Sequence, residues 1–267
     1  MEIKNIMRLM YLSLILFCCY SCTKSKDVEA GYYDRPVVQA FLIPGVPIQV
    51  KVYDQKFMED TITHGYPVTG LLLKISNGTQ QVLLSETSPG VYEYADAGFV
   101  KDLQHYALSF EYLGKTITAA TTVPGKPTGF RATSTSQVLP EFSFGATPAD
   151  FVPVVYNWNN VTNEHFMMVF KNTDLYKTPA DSRFTRTYRD MESILGTVST
   201  YQTQQMTFNF LGNYQVLLFH INEEYSKAIT STSSNSLNLT PQYTNVQNGL
   251  GIFTAMRADT LNVVVTH

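Results

Sequence analysis

Cysteine is nearly absent from this 267-residue chain, and its placement removes whole classes of chemistry. Cys18, Cys19 and Cys22 all fall within the first 22 residues. The chain beyond them can hold no disulfide, and no cysteine pair there can ligate zinc. Charge is also scarce, at 15% of residues with a formal net charge of −3, so there is no basic field for nucleic acid. Tryptophan occurs once, as Trp158. No apolar run reaches the ~20 residues that a spanning helix needs. No long amphipathic helical pattern appears either. What is abundant is apolar and aromatic surface: 44% hydrophobic residues, with 17 Tyr and 16 Phe. Such a chain can bury real cores, and Thr, Val, Tyr and Phe suit a pleated sheet.

The N-terminus reads as a targeting segment. Lys4 and Arg8 form a short basic region, and residues 9–19 follow as an uncharged apolar stretch. That length suits a secretory signal rather than a bilayer crossing. Cys19-Tyr20-Ser21-Cys22-Thr23 then resembles the lipobox of bacterial lipoproteins, with small Ser21 directly before Cys22. The resemblance implies cleavage before Cys22 and attachment of membrane lipid to its thiol. Residues 1–21 are thus expected to be a signal peptide and 22–31 a polar tether. Cys19-x-x-Cys22 has the spacing of a redox or metal pair, but it has no second pair and lies in a segment expected to be removed.

Beyond the tether, short runs of period two recur, as in half-buried strands. Residues 37–43 end at Pro44-Gly45, and Ile48, Val50 and Val52 alternate with polar neighbours. Residues 71–75 and 82–84 flank Asn77-Gly78, a tight-turn pair, and form a hairpin. Tyr106, Leu108, Phe110 and Tyr112 alternate before Gly114 and the run 116–123. About seven strands in roughly ninety residues favour a sandwich. Pro124-Gly125-Lys126-Pro127 is the best boundary, because proline cannot continue a central strand. The expected architecture is all-β: two consecutive immunoglobulin/fibronectin-like β-sandwich domains, over 32–124 and 128–267.

The second domain starts with strand-like 152–158, where Trp158 reads as core. Strand 166–170 follows. Met206, Phe208 and Phe210 lead to an expected turn at Gly212-Asn213, with a return strand over 214–221. One short helix is expected over 223–232, its acidic start matching the helix dipole. Residues 261–266 form a last strand. Residues 172–205 have weak periodicity and read as an insertion, either a loop or a small helical excursion around 190–195.

Catalytic signatures are missing. There is no Gly-x-Ser-x-Gly elbow and no His-Glu-x-x-His. Five scattered histidines show no metal-ligand spacing. Glu59-Asp60 and Glu223-Glu224 are sequence neighbours, whose side chains diverge on a strand. Gly249-Leu250-Gly251 lacks the third glycine and following helix of a dinucleotide loop, so a tight backbone path or bulge is the expected role. No cofactor or metal is expected. One segment concentrates positive charge and aromatics: Arg183, Phe184, Arg186, Tyr188 and Arg189. Arginine and tyrosine are enriched in binding hot spots, so this is the candidate partner contact, weighed against a solvated loop edge.

Two stretches carry a family resemblance. One is Gly90-Val91-Tyr92, Tyr106-Ala107-Leu108, Gly114-Lys115-Thr116-Ile117 and Val123-Pro124. The other runs from Asn245 through Gly249 and Gly251 to Phe253, an Asn-x-x-x-Gly-x-Gly-x-Phe pattern. Together they resemble a Bacteroidetes lipoprotein family known as a domain of unknown function. The resemblance implies an outer-membrane accessory of a TonB-dependent receptor, with that receptor as partner and no catalytic residues to carry over. Asp60-Thr61-Ile62 and Asp259-Thr260-Leu261 resemble O-glycan acceptors of exported proteins from such bacteria, at Thr61 and Thr260. The leading expectation is a non-enzymatic binding component. A hydrolase of glycans or peptides, and an envelope scaffold or adhesin, are the alternatives.

Overall fold

The computed structural model describes residues 35–55, 64–141, 150–181, 183, 187–233 and 243–267. Seventeen strands and one helix are built from them. In the first half these are β1 (Pro36–Leu42), β2 (Ile48–Asp54), β3 (Lys74–Ser76), β4 (Gln81–Leu83), β5 (Ser85–Ser88), β6 (Val91–Tyr94), β7 (His105–Tyr112) and β8 (Lys115–Thr122). The second half holds β9 (Arg131–Ala132), β10 (Ser136–Val138), β11 (Val155–Asn157), β12 (His165–Asn172), β13 (Thr178–Pro179), β14 (Met191–Gly196), β15 (Thr200–Gln202), β16 (Phe210–Ile221), α1 (Glu223–Ser233) and β17 (Leu250–Thr266). The fold is all-β, with one short helix. No described helix is long and apolar enough to cross a membrane.

One sheet runs through both halves in the order β14-β12-β16-β17-β1-β2-β6-β5. A four-stranded sheet, β4-β3-β7-β8, packs on one part of it, and a three-stranded sheet, β15-β11-β9, on the other. β17 makes this possible. Its first residues pair in parallel with β1, Val38 opposite Gly251 and Leu42 opposite Ala255. Its later residues pair with β16, from Met256 opposite Ile221 to Val265 opposite Gly212. Side chains alternate across a strand. Phe253 and Ala255 therefore enter the first core while Val263 and Val265, on the same face, enter the second. The opposite face carries Phe41, Met167, Ile221 and Met256, packed with Tyr225 of α1. Phe41 and Tyr225 meet edge to face at 5.3 Å.

The junction is stitched by polar contacts. Lys126 pairs with Asp259 at 2.9 Å and Arg257 with Asp102 at 2.9 Å. His220 Nδ1 donates to the Gly125 carbonyl at 2.9 Å. Residues 35–267 form one unit, and the Pro124–Pro127 stretch runs through it against β16 and β17.

Four expectations are corrected. β16 is a single strand that runs straight through Gly212-Asn213, where a turn was expected. Gly212 has φ +116°, and a Cβ there would stand 1.8 Å from the Asp174 carboxylate. This glycine serves close approach, not chain reversal. Residues 206–207 lie ahead of β16 rather than in a strand. Residues 191–196, expected as loop or helix, are β14, the edge of the large sheet. Its signal is weak because an edge strand has only one neighbour to bury it. The last strand begins at Leu250, eleven residues before the expected start.

The tyrosine abundance has a packing reason. Tyr92 and Tyr106 are buried in the first core. Tyr92 donates to the Val68 carbonyl at 2.8 Å, and Tyr106 to the Phe99 carbonyl at 2.8 Å. A tyrosine body fills the core while its hydroxyl ties down a loop backbone. Tyr156 departs from this. It is fully buried, stacked with Phe130 and edge-on to Phe170, and its hydroxyl has no hydrogen-bond partner among the described residues. Burial pushes its phenol well above the ordinary range. A buried unpaired hydroxyl costs ~1–3 kcal/mol. Tyr156→Phe is therefore expected to stabilise the protein by about 1 kcal/mol, raising the melting temperature in thermal denaturation. A decrease would show that the hydroxyl has a partner.

Candidate functional site

The end of the second sandwich, where β17 finishes, gathers the features with binding character. They are built on Asn172, the buried last residue of β12. Its Nδ2 donates to the Leu211 carbonyl at 2.9 Å, and its Oδ1 accepts from Asp174 N at 2.9 Å. Its backbone N–H donates to Tyr188 Oη at 2.6 Å. Tyr188 donates in turn to Asp190 Oδ1 at 2.5 Å and lies edge-on to Phe210. Burial, reinforced by the Asp190 carboxylate accepting its proton, pushes the Tyr188 phenol up to about 12.

The loop from 173 to 177 is fastened at its base. Asn213 donates from its backbone N–H to Asp174 Oδ2 at 3.0 Å and from its side chain to Oδ1 at 2.8 Å. Thr173 N donates to the Asn213 carbonyl at 2.8 Å. The Lys177 ammonium donates to the Asn172 carbonyl at 2.8 Å and to the Asp174 carbonyl, and lies 4.8 Å from the Tyr188 ring centre. The bonds from Asn213 hold the Asp174 carboxyl below its ordinary value of 3.8. A depressed carboxyl contributes stability that is complete above the unfolded pKa and lost as pH falls through the folded one. Amide exchange of residues 173–177 is therefore expected to be slow and flat above pH ~4 after intrinsic correction. Below that it should accelerate, and in Asp174→Asn the acceleration should vanish. Identical acid profiles would refute this.

Two cavities open beside this loop. One of about 470 Å3 is bordered by Leu139, Pro179, Asp181, Arg183, Met206 and His267. The other, about 400 Å3, is bordered by Phe170, Tyr188, Arg189, Met191, Phe210 and Tyr214. They share Asn209, and their volumes fall in the small-ligand range. A third, of about 370 Å3, lies near α1 among Thr121, Asn222, Glu224 and Asn245. Its polar atoms are engaged with one another, as in Thr121 Oγ1 donating to Glu224 at 2.9 Å.

Of the residues singled out from sequence, Arg183, Tyr188 and Arg189 all border the first two cavities. Arg183 is already paired: its Nε donates to Asp181 Oδ1 at 2.9 Å, and its Nη2 to Oδ2 at 2.5 Å. Tyr188 holds the Asn172 backbone, and Arg189 is exposed. Thr260 is exposed on β17, while its neighbour Asp259 is engaged by Lys126. Cys22, Thr61, Phe184 and Arg186 lie outside the described residues. Sequence reasoning missed Leu175, Tyr176 and Met206, three exposed apolar side chains at this end. An apolar pair between Asp174 and Lys177 in a weakly periodic stretch was the available signal. Among the described residues no group of three or more His, Cys, Asp or Glu could hold a metal ion.

The Asn245–Phe253 motif proves structural. Asn245 Oδ1 accepts from Phe253 N at 3.0 Å, and its Nδ2 donates to the Phe253 carbonyl at 2.7 Å and the Ala120 carbonyl at 3.3 Å. Gln247 and Thr118 exchange backbone bonds, 2.7 Å and 3.4 Å. The motif thus clasps β8 of the small sheet to the start of β17. Gly251 takes the tight path expected of it, at φ +93°.

No curated protein matches the sequence. Similar solved structures include chicken CNTN1 FN1–FN3 domains, 10% identical at a TM-score of 0.29, covering 87% of this chain and 68% of that one. A two-domain fibronectin type III segment of chicken tenascin is 9% identical at a TM-score of 0.22, covering 71% and 92%. The family model described as "Domain of unknown function (DUF4249)" matches residues 27–262, most of the chain, and the chain belongs to that family.

Proposed function

We propose that this protein is an outer-membrane lipoprotein, anchored by lipid on Cys22, that serves as a non-enzymatic binding component of a TonB-dependent uptake system. The observation that carries the binding role is the pair of cavities at the end of the second sandwich. Arg183 lines one, and Tyr188 and Arg189 line the other. A seventeen-residue strand spans about 55 Å at ~3.3 Å per residue, so β17 separates this end from the start of β1 by most of that length. A tethered protein of this build offers its site away from the point where the chain enters the fold. The lipobox-like Ser21-Cys22 supports the anchor, and the family resemblance supports the receptor as partner.

Two measurements test the reading. Cys22→Ala is expected to take up no labelled fatty acid in cells, because acyl chains need that thiol and bind at ~0.8 kcal/mol per buried methylene. Equal labelling of variant and parent would remove the anchor. Arg189→Glu, at an exposed position, is expected to lower co-purification of the TonB-dependent receptor from outer membranes at least five-fold while the melting temperature holds. Unchanged co-purification would remove this end as the receptor contact.

A further inference from the structure

Asparagine is followed directly by glycine at two places, Asn77-Gly78 and Asn248-Gly249. Such pairs are reactive, because glycine carries no side chain to shield its nitrogen from the preceding carboxamide. The fold gives the two pairs opposite surroundings. Asn77-Gly78 lies in the turn between β3 and β4, with Gly78 exposed. Asn77 Oδ1 accepts from Thr79 N at 3.2 Å, Thr79 Oγ1 at 3.0 Å and Gln80 N at 2.8 Å. The bond from Thr79 N closes an Asx-turn. That ring already contains Cγ, Cβ, Cα and C of Asn77 and N of Gly78, the atoms that a succinimide joins. The Gly78 N–H donates to Ser76 Oγ at 3.1 Å, and a Cβ at Gly78 would meet nothing within 4 Å. Asn248 is held differently. Its Nδ2 donates to the Thr116 carbonyl at 2.9 Å. Gly249 is buried, and a Cβ there would stand 2.7 Å from the Val246 side chain and 3.1 Å from the Pro36 carbonyl oxygen.

We propose that Asn77 is a self-modification site, converted without an enzyme to aspartate and isoaspartate. The Gly78 amide gives its proton to water through the Ser76 hydroxyl, and its nitrogen bonds to Asn77 Cγ. Negative charge then collects on Oδ1, where three donors already point, as in an oxyanion hole. The Cγ–Nδ2 bond breaks, Nδ2 takes up a proton, and ammonia leaves a succinimide. Water opens that ring on either side. Attack at Cγ breaks the bond to Gly78 N there and gives aspartate. Attack at the main-chain carbon of residue 77 gives isoaspartate, whose backbone runs through Cβ and Cγ and is one atom longer. Either product adds a negative charge to the hairpin. At Asn248 the same closure must first break the bond to Thr116 and displace the packed Gly249.

The test ages the purified full chain at mildly alkaline pH and maps its peptides by mass spectrometry. Methyl transfer by an isoaspartate methyltransferase reports the longer backbone. Conversion at residue 77 is expected to run at least ten-fold faster than at residue 248 and to yield both products. Thr79→Val removes one of the three donors at an exposed turn. One donor in a closed enzyme site is worth ~10²–10³ in rate, and water shares the task here, so the expected slowing is at least three-fold. The melting temperature should hold. In denaturant the two pairs should convert at rates within two-fold of each other, and the effect of Thr79→Val should disappear. Equal rates at 77 and 248 in the folded chain, or no conversion at 77, would overturn the proposal. So would a Thr79→Val rate that matches or exceeds the parent's, or a difference between the pairs that persists unchanged in denaturant.

Discussion

Gly251→Ala is expected to destabilise the protein by about 4 kcal/mol, as strain at a positive φ combined with overpacking. A Cβ at this position would stand 2.0 Å from the Val38 carbonyl oxygen and 2.9 Å from its carbon and nitrogen. These are backbone atoms of β1, paired in register with Gly251, so neither strand can yield without breaking the ladder. The φ of +93° adds strain for any L side chain. At ~2–4 °C per kcal/mol for a domain of this size, the melting temperature should fall by roughly 8–16 °C. Gly45→Ala separates the two causes. Gly45 has φ +85°, but nothing lies within 4 Å of its Cβ position, so that variant should lose only the conformational part. Equal losses at both positions would show that the close approach to β1 carries no energy.

Asn245→Ala is expected to cost about 3 kcal/mol, because it strips a buried strand start of its clamp. The Asn245 amide meets both the N–H and the carbonyl of Phe253, whose ring is fully buried in the first core. Without it, the Phe253 N–H loses its acceptor, and an unsatisfied buried donor costs ~1–3 kcal/mol on its own. Asn245→Asp keeps the acceptor and loses the donor, so denaturant unfolding should place it between the parent and Asn245→Ala. Asn245→Ala within 1 kcal/mol of the parent, an order-of-magnitude threshold, would refute the clamp. Both variants act on one place, where β17 joins the first core, and their effects should not add.

Much of the fold was legible because alternation is local. β2 and β7 were visible from apolar residues at every second position, β1 and β8 as strand-like runs bounded by Gly and Pro, and the Asn77-Gly78 hairpin from its turn chemistry. Asn77 Oδ1 there accepts from the N–H groups of Thr79 and Gln80. The helix at 223 was visible from its acidic start and the end of alternation. The errors came where a residue answers to something distant. Gly212-Asn213 has the composition of a turn, yet the glycine is required by the Asp174 carboxylate 38 positions earlier in sequence. β17 reads as ending-strand only from 261 because Gly251, Thr254, Arg257 and Asp259 interrupt the apolar pattern, although Thr254 is buried. The Arg183–Arg189 segment was found by its composition, but composition did not reveal that Arg183 is paired to Asp181. Nor did it reveal that Tyr188 accepts from the Asn172 backbone N–H and donates to Asp190.

By itself the sequence determined an all-β protein with strands in both halves and one short helix. Strand period, turn residues and apolar content are properties of neighbouring residues, so they can be read from order alone. Only the tertiary structure decided that one seventeen-residue strand serves both cores, and that Asn245 and Gly251 are parts of a clasp. It also decided that Asn172, Asp174, Lys177 and Asn213 hold Leu175 and Tyr176 out into solvent. Each of these depends on pairing between residues far apart in the chain. Their energies come from close approach and hydrogen-bond geometry, which no local pattern encodes.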